Sequence, residues 1–102
     1  MRVYNKLVRD KIPEIIRGNG NECEIQIAQK EDKYKLLEKK LQEEVYEFFE
    51  DKNIEELADI MEVLFGLAGC LGYTEEDLLI ARNKKREERG GFEAGILLKS
   101  VR

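Results

Sequence analysis

Residues 43–62 read Glu43-Glu44-Val45-Tyr46-Glu47-Phe48-Phe49-Glu50-Asp51-Lys52-Asn53-Ile54-Glu55-Glu56-Leu57-Ala58-Asp59-Ile60-Met61-Glu62. This stretch predicts the end of one helix, a tight turn and the start of another. Upstream of the turn, Leu37, Leu41, Val45 and Phe48 recur at intervals of four, four and three, which sets them on one face of a helix from about Asp32 to Glu50. Asp51-Lys52-Asn53 supplies the turn, with Asn53 as N-cap of the helix that follows. That second helix is expected to run from Ile54 to about Leu71. Its apolar residues cover most of its circumference, so it is expected to be the central, buried helix.

A turn this short makes the two helices antiparallel. Two acidic pairs then become informative: Glu44-x-x-Glu47 on the first helix and Glu56-x-x-Asp59 on the second. Helical residues three apart lie about 60° apart around the axis, so each pair presents both carboxylates in one direction. The pairings Glu44 with Asp59 and Glu47 with Glu56 are both symmetric about the Asp51–Lys52 peptide. Closing the hairpin therefore brings four carboxylates together between two packed helices. Such a cluster repels itself unless something neutralises it. A divalent cation that prefers hard oxygen ligands, Mg²⁺ or Mn²⁺ and not zinc, is the natural solution.

A single Glu-x-x-Glu in a chain that is 39% charged is ordinarily a solvated helix face. Asp59 is different, because it interrupts Ala58, Ile60 and Met61 in the most apolar helix and needs a compensating partner. A salt bridge to Lys or Arg is the structural alternative to a metal. Glu43 lies one residue off the Glu44 direction and is an accessory ligand or an exposed acid. Glu62 continues the stripe of Glu55 and Asp59 and is nearly level with Lys40, its candidate partner across the hairpin.

The charge of the chain is segregated around this block. Nine acids and one base (Lys52) give −8 between Glu43 and Glu62, so a chain of net charge −4 carries +4 everywhere else. The excess sits near the ends, at Arg2, Lys6, Arg9, Lys11 and Arg17, and at Arg82, Lys84, Lys85, Arg86 and Arg89. The chain has 102 residues and no histidine, which removes Ser-His-Asp and Cys-His nucleophile systems and two-His zinc sites. Acid–base work must fall to carboxylates, Lys, Arg or a metal-bound water. Cys23 and Cys70 match no metal spacing and are too few for a disulfide scaffold, so a reduced, cytoplasmic setting is expected. No signal peptide is read, and the apolar run from Met61 to Leu71 is too short to span a bilayer. A net negative chain with divided basic residues argues against nucleic acid as a partner.

The remaining elements follow from local signals in a single domain, 1–102. Asp10 is a candidate cap for a short helix with Pro13 in its first turn, stopped by Gly18-Asn19-Gly20. Residues 22–28 alternate, with Cys23, Ile25 and Ile27 on one side, and suggest a short strand; residues 95–98 are its candidate partner. Thr74 is expected to cap a fourth helix reaching Arg89, with Asp77 completing a capping box. Gly66 and Gly69 read as positions of close helix packing. The fold class expected is mainly α: a four-helix bundle with a minor β-ribbon.

With Glu44-x-x-Glu47 followed by Glu56-x-x-Asp59, the chain resembles the all-α nucleoside triphosphate pyrophosphatases, the MazG-like and phosphoribosyl-ATP pyrophosphatase-like superfamily. The opening Tyr4-Asn-Lys-Leu-Val-Arg-Asp-Lys-Ile-Pro13 and the closing Arg89-Gly-Gly-Phe92 resemble a small single-domain branch of that group. The resemblance implies that Glu44, Glu47, Glu56 and Asp59 bind Mg²⁺. It also implies hydrolysis of the α–β phosphoanhydride of a nucleotide to a monophosphate and pyrophosphate, and a homo-oligomer, dimer or tetramer. Eight residues separate the acidic motifs, fewer than in many relatives, so the usual base contacts do not transfer. Glu44 or Glu47 would orient the water and accept its proton. Lys85, Arg86 and Arg89, then Lys6, Arg9 and Lys11, are the candidates to meet the substrate phosphates. The alternatives are phosphoribosyl-ATP as substrate, or a non-catalytic helical binding module whose acids form salt bridges.

Overall fold

A computed structural model describes residues 4–102 and is built of four helices: α1 (Ile12–Gly18), α2 (Lys30–Asp51), α3 (Ile54–Cys70) and α4 (Glu75–Arg89). The mainly α expectation holds, and Arg2 lies outside the described residues. α2 begins two residues earlier than its periodicity suggests. α3 ends at Cys70, one residue short of the expected Leu71.

The α2–α3 hairpin is the organising unit. Lys52 adopts the left-handed conformation (φ 50°) and its N–H returns to the Phe48 carbonyl, which stops α2. Asn53 is extended and its side chain accepts from the Glu56 N–H at 3.0 Å, which starts α3. A two-residue reversal follows, and α2 packs along α3. Leu37, Leu41, Val45 and Phe48 are all buried or half-buried, as the stripe on α2 requires. The pairing of Leu37 with Gly66 continues the symmetry about the Asp51–Lys52 peptide: a Cβ on Gly66 would lie 3.1 Å from Leu37 Cδ2. Gly66 thus permits close packing, whereas a Cβ on Gly69 would meet open space within the chain.

α3 closes with a Schellman motif. Gly72 has φ 90°, its N–H donates to the Gly69 carbonyl, and the Tyr73 N–H donates to the Ala68 carbonyl. α4 then leaves at 108° to α3, started by the expected capping box in which Thr74 and Asp77 exchange side-chain-to-backbone bonds. It touches α3 but does not run beside α2. Among the described residues no single helix is long and apolar enough to cross a membrane.

Four expectations are corrected. Among the described residues there is no β-ribbon. Ile25, Ile27, Ile96 and Leu97 are 51–86% exposed, so no apolar face is buried to stabilise a two-stranded ribbon. Asp10 does not cap α1; Lys11 holds the N-cap position without a side-chain bond, and Pro13 and the acidic Glu14 favour the first turn. Lys40 pairs with Glu44 one turn away on α2, and not with Glu62. Finally, α3 is not buried all round. Val63 and Ala68 are buried, but Ile54, Leu57, Met61 and Leu64 form a stripe at spacings of three, four and three that is 40–76% exposed.

That exposure accords with the dimensions of the chain. Its radius of gyration is 17.9 Å, against about 13 Å for a compact domain of 100 residues. Among the described residues the buried apolar core is Leu37, Val63 and Ala68.

Candidate metal centre

The acidic motifs meet where the hairpin register sends them. Glu44, Glu56 and Asp59 each bring a carboxylate oxygen within 4.8 Å of the other two. Glu44 reaches the cluster from the third turn from the end of α2. Glu56 and Asp59 come from the first two turns of α3, where Asn53 fixes the start of the helix. An ion about 2.1 Å from each oxygen in octahedral geometry sets trans oxygens about 4.2 Å apart. The bound of 4.8 Å on the three oxygens is somewhat wider than such a shell. Glu47 is exposed and lies outside the set of three, at the rim, where its charge acts on both Glu44 and Glu56.

Burial is what makes the cluster unusual. Glu44 is 7% exposed, and its Oε2 is buried without a hydrogen-bond partner; the same is true of Glu56 Oε2. Burial raises the pKa of the Glu44 carboxyl above its ordinary value, and the charges of Glu47 and Asp59 push the same way against the opposing effect of Lys40. The Glu56 carboxyl is raised by burial and then by Glu47, Asp51, Asp59 and Glu44. Both groups are held in a surrounding that disfavours their negative charge, as an incomplete cation site would.

Two cations partly answer that charge. Lys40 Nζ lies 3.4 Å from Glu44 Oε1 within α2. Arg9 Nη2 lies 2.6 Å from Asp59 Oδ1, reaching α3 from the segment before α1. The first partner was readable as an i, i+4 pair; the second, fifty positions away, has no local signal.

The other cations named from sequence are divided. Lys6 lines a small crevice with Leu7, Leu36, Lys39, Lys40 and Glu43, which lays the N-terminal segment along α2 near the cluster. Lys11 is exposed at the start of α1. Lys85, Arg86 and Arg89 line a separate open groove with Leu78 and Phe92, and Arg86 pairs with Glu93 at 3.1 Å. Asp59 stands eleven residues before Cys70, about 16 Å along α3, and α4 then turns away. The fourth-helix cations therefore do not meet the acidic cluster of their own chain. Glu43 and Glu62 are exposed and join neither ion pair.

No family model matches the chain, and no curated protein or solved structure matches it.

Proposed function

We propose that the chain is a Mg²⁺-dependent nucleotide pyrophosphohydrolase, acting on a nucleoside triphosphate or similar nucleotide to release a monophosphate and pyrophosphate, as in clearing unwanted nucleotides from a pool. The observation that carries this reading is the buried, unpartnered Glu44 Oε2 beside Glu56 and Asp59. Two cations face four carboxylates, which leaves the acidic site short of positive charge.

On this reading Glu44, Glu56 and Asp59 hold Mg²⁺, with Mn²⁺ as a substitute. The bound ion would lower the pKa of a coordinated water and offset charge on the leaving pyrophosphate. Glu47, exposed at the rim, is placed to orient that water and take its proton, since Glu44 is buried and engaged by Lys40. Of the cations proposed for the phosphates, Arg9 touches the cluster at Asp59, and Lys6 lies on the crevice that borders Lys40 and Glu43. Lys85, Arg86 and Arg89 reach phosphate only if a second copy brings its fourth helix to the site. The exposed stripe Ile54, Leu57, Met61 and Leu64 supports a homo-oligomer, in which such a face is covered.

The test is a panel of nucleoside triphosphates and phosphoribosyl-ATP incubated with Mg²⁺, reading pyrophosphate release. Turnover that disappears in Glu56→Gln and Asp59→Asn supports the proposal; no release from any substrate sinks it. Phosphoribosyl-ATP alone as substrate would select the histidine-biosynthesis variant of the same chemistry.

A second reading rests on the Arg9–Asp59 and Lys40–Glu44 pairs: a non-catalytic helical module whose acids are structural. It leaves Glu56 Oε2 unexplained, and it predicts no stabilisation by Mg²⁺.

A further inference from the structure

The contact between Arg9 and Asp59 places a fixed cation against the acidic cluster. Arg9 Nη2 is 2.6 Å from Asp59 Oδ1, and Asp59 also supplies one of the three carboxylate oxygens gathered within 4.8 Å. Glu44, which supplies another of those three oxygens, is 7% exposed and has its Oε2 buried without a partner. The guanidinium thus brings a positive charge to the cluster at Asp59.

This ion pair is built to break. The Arg9 and Asp59 side chains are 55% and 39% exposed, and pairs of such exposure contribute little to stability. Arg9 belongs to the stretch before α1, which has no helix or strand of its own, and only Leu7 among residues 4–10 is half-buried. A divalent cation bound to the Asp59 carboxylate would sit within about 5 Å of the guanidinium. Repulsion between a double and a single positive charge at that range exceeds what an exposed pair returns.

We propose that Arg9 and a divalent cation compete for Asp59: the arginine holds the empty site, and metal binding releases it as a tethered guanidinium beside the ion. This rests on the reading of the cluster as a metal site. Once released, Arg9 is positioned for an anionic oxygen of a phosphate-bearing ligand, which a guanidinium pairs with more readily than an ammonium does. Arg9 on this account changes its partner from carboxylate to phosphate with metal loading.

Calorimetric titration of the full chain with Mn²⁺ alone tests the competition. Arg9→Gln should bind Mn²⁺ roughly three- to tenfold more tightly than the unaltered chain, and Arg9→Lys, which keeps the charge, should stay close to it. Equal or weaker binding by Arg9→Gln, with the unaltered chain binding normally, overturns the competition while leaving the metal site standing. No binding by either chain overturns the metal reading and this proposal with it. NMR of the Arg9 Nε–Hε group reads the second step. Inorganic phosphate should move that signal when Mg²⁺ is saturating and leave it in place without Mg²⁺; no movement in the loaded protein overturns the change of partner.

Discussion

The Leu37 side chain occupies the space that a Cβ at position 66 would enter. Its two methyl carbons lie 3.1 and 3.3 Å from that point, and Leu37 is among the few buried apolar residues of the chain. Leu37 and Gly66 are symmetric about the same peptide as Glu44 and Asp59, so one close approach in the apolar part of the hairpin holds the register of the acidic part. Gly66→Ala forces Leu37 to move, whereas Gly69→Ala adds a methyl group to open space and gains helix propensity. Gly66→Ala is expected to be less stable than Gly69→Ala by about 1–3 kcal/mol in urea unfolding.

The turn offers a pair of opposite effects. Lys52 pays for a left-handed conformation that glycine adopts without strain, so Lys52→Gly should raise stability by up to about 1 kcal/mol. Asn53→Ala removes the cap on the Glu56 N–H and should cost about 1 kcal/mol. Thermal unfolding of both variants checks the signs.

The raised pKa of Glu56 gives a pH dependence with a definite sign. A carboxyl whose folded pKa lies above its unfolded value binds protons more tightly in the folded state, so the metal-free protein gains stability as pH falls through the folded pKa toward the ordinary carboxylate range. Glu56→Gln should therefore melt higher than the unaltered chain at neutral pH. The difference should shrink on acidification. A Tm series from pH 7 to pH 4 without divalent ions reads this directly, and a difference that grows toward low pH would contradict it.

Metal loading should stabilise the chain by the ordinary law of mass action. Mg²⁺ at one hundred times its Kd is expected to add about 2.7 kcal/mol. Asp59→Asn should lose that increment while its metal-free stability changes by no more than about 1 kcal/mol, because the exposed pair with Arg9 is the only ion pair it breaks among the described residues. Thermal shift with and without Mg²⁺ separates the two quantities.

Charging the open stripe of α3 tests whether a second copy covers it. Leu57→Lys and Leu64→Lys together should shift sedimentation toward the monomer while leaving helical circular dichroism in place, since both side chains are 40% or more exposed within one chain. Unchanged sedimentation would show that another surface joins the copies, or that none does.

Much of this was legible from short-range signals. The α2 stripe, the Asn53 and Thr74 caps and the antiparallel register all rest on chemistry within a few residues, where spacing and propensity suffice. The alternation of residues 22–28 misled for the opposite reason: a strand exists only if a partner pairs with it, and none does here among the described residues. The apolar circumference of α3 was equally ambiguous. Periodicity shows that a face is apolar, but not whether the same chain covers it.

By itself, then, the sequence determined four helices, a hairpin centred on Asp51–Lys52 and the level at which Glu44 meets Asp59, because helical pitch and a tight turn leave little freedom. Only the tertiary structure decided that Glu44 is buried with an oxygen left over, that Glu47 stays at the rim, and that Arg9 and not a fourth-helix cation meets Asp59. Those outcomes depend on how segments distant in the chain pack and on the direction in which α4 departs, and no local pattern encodes them.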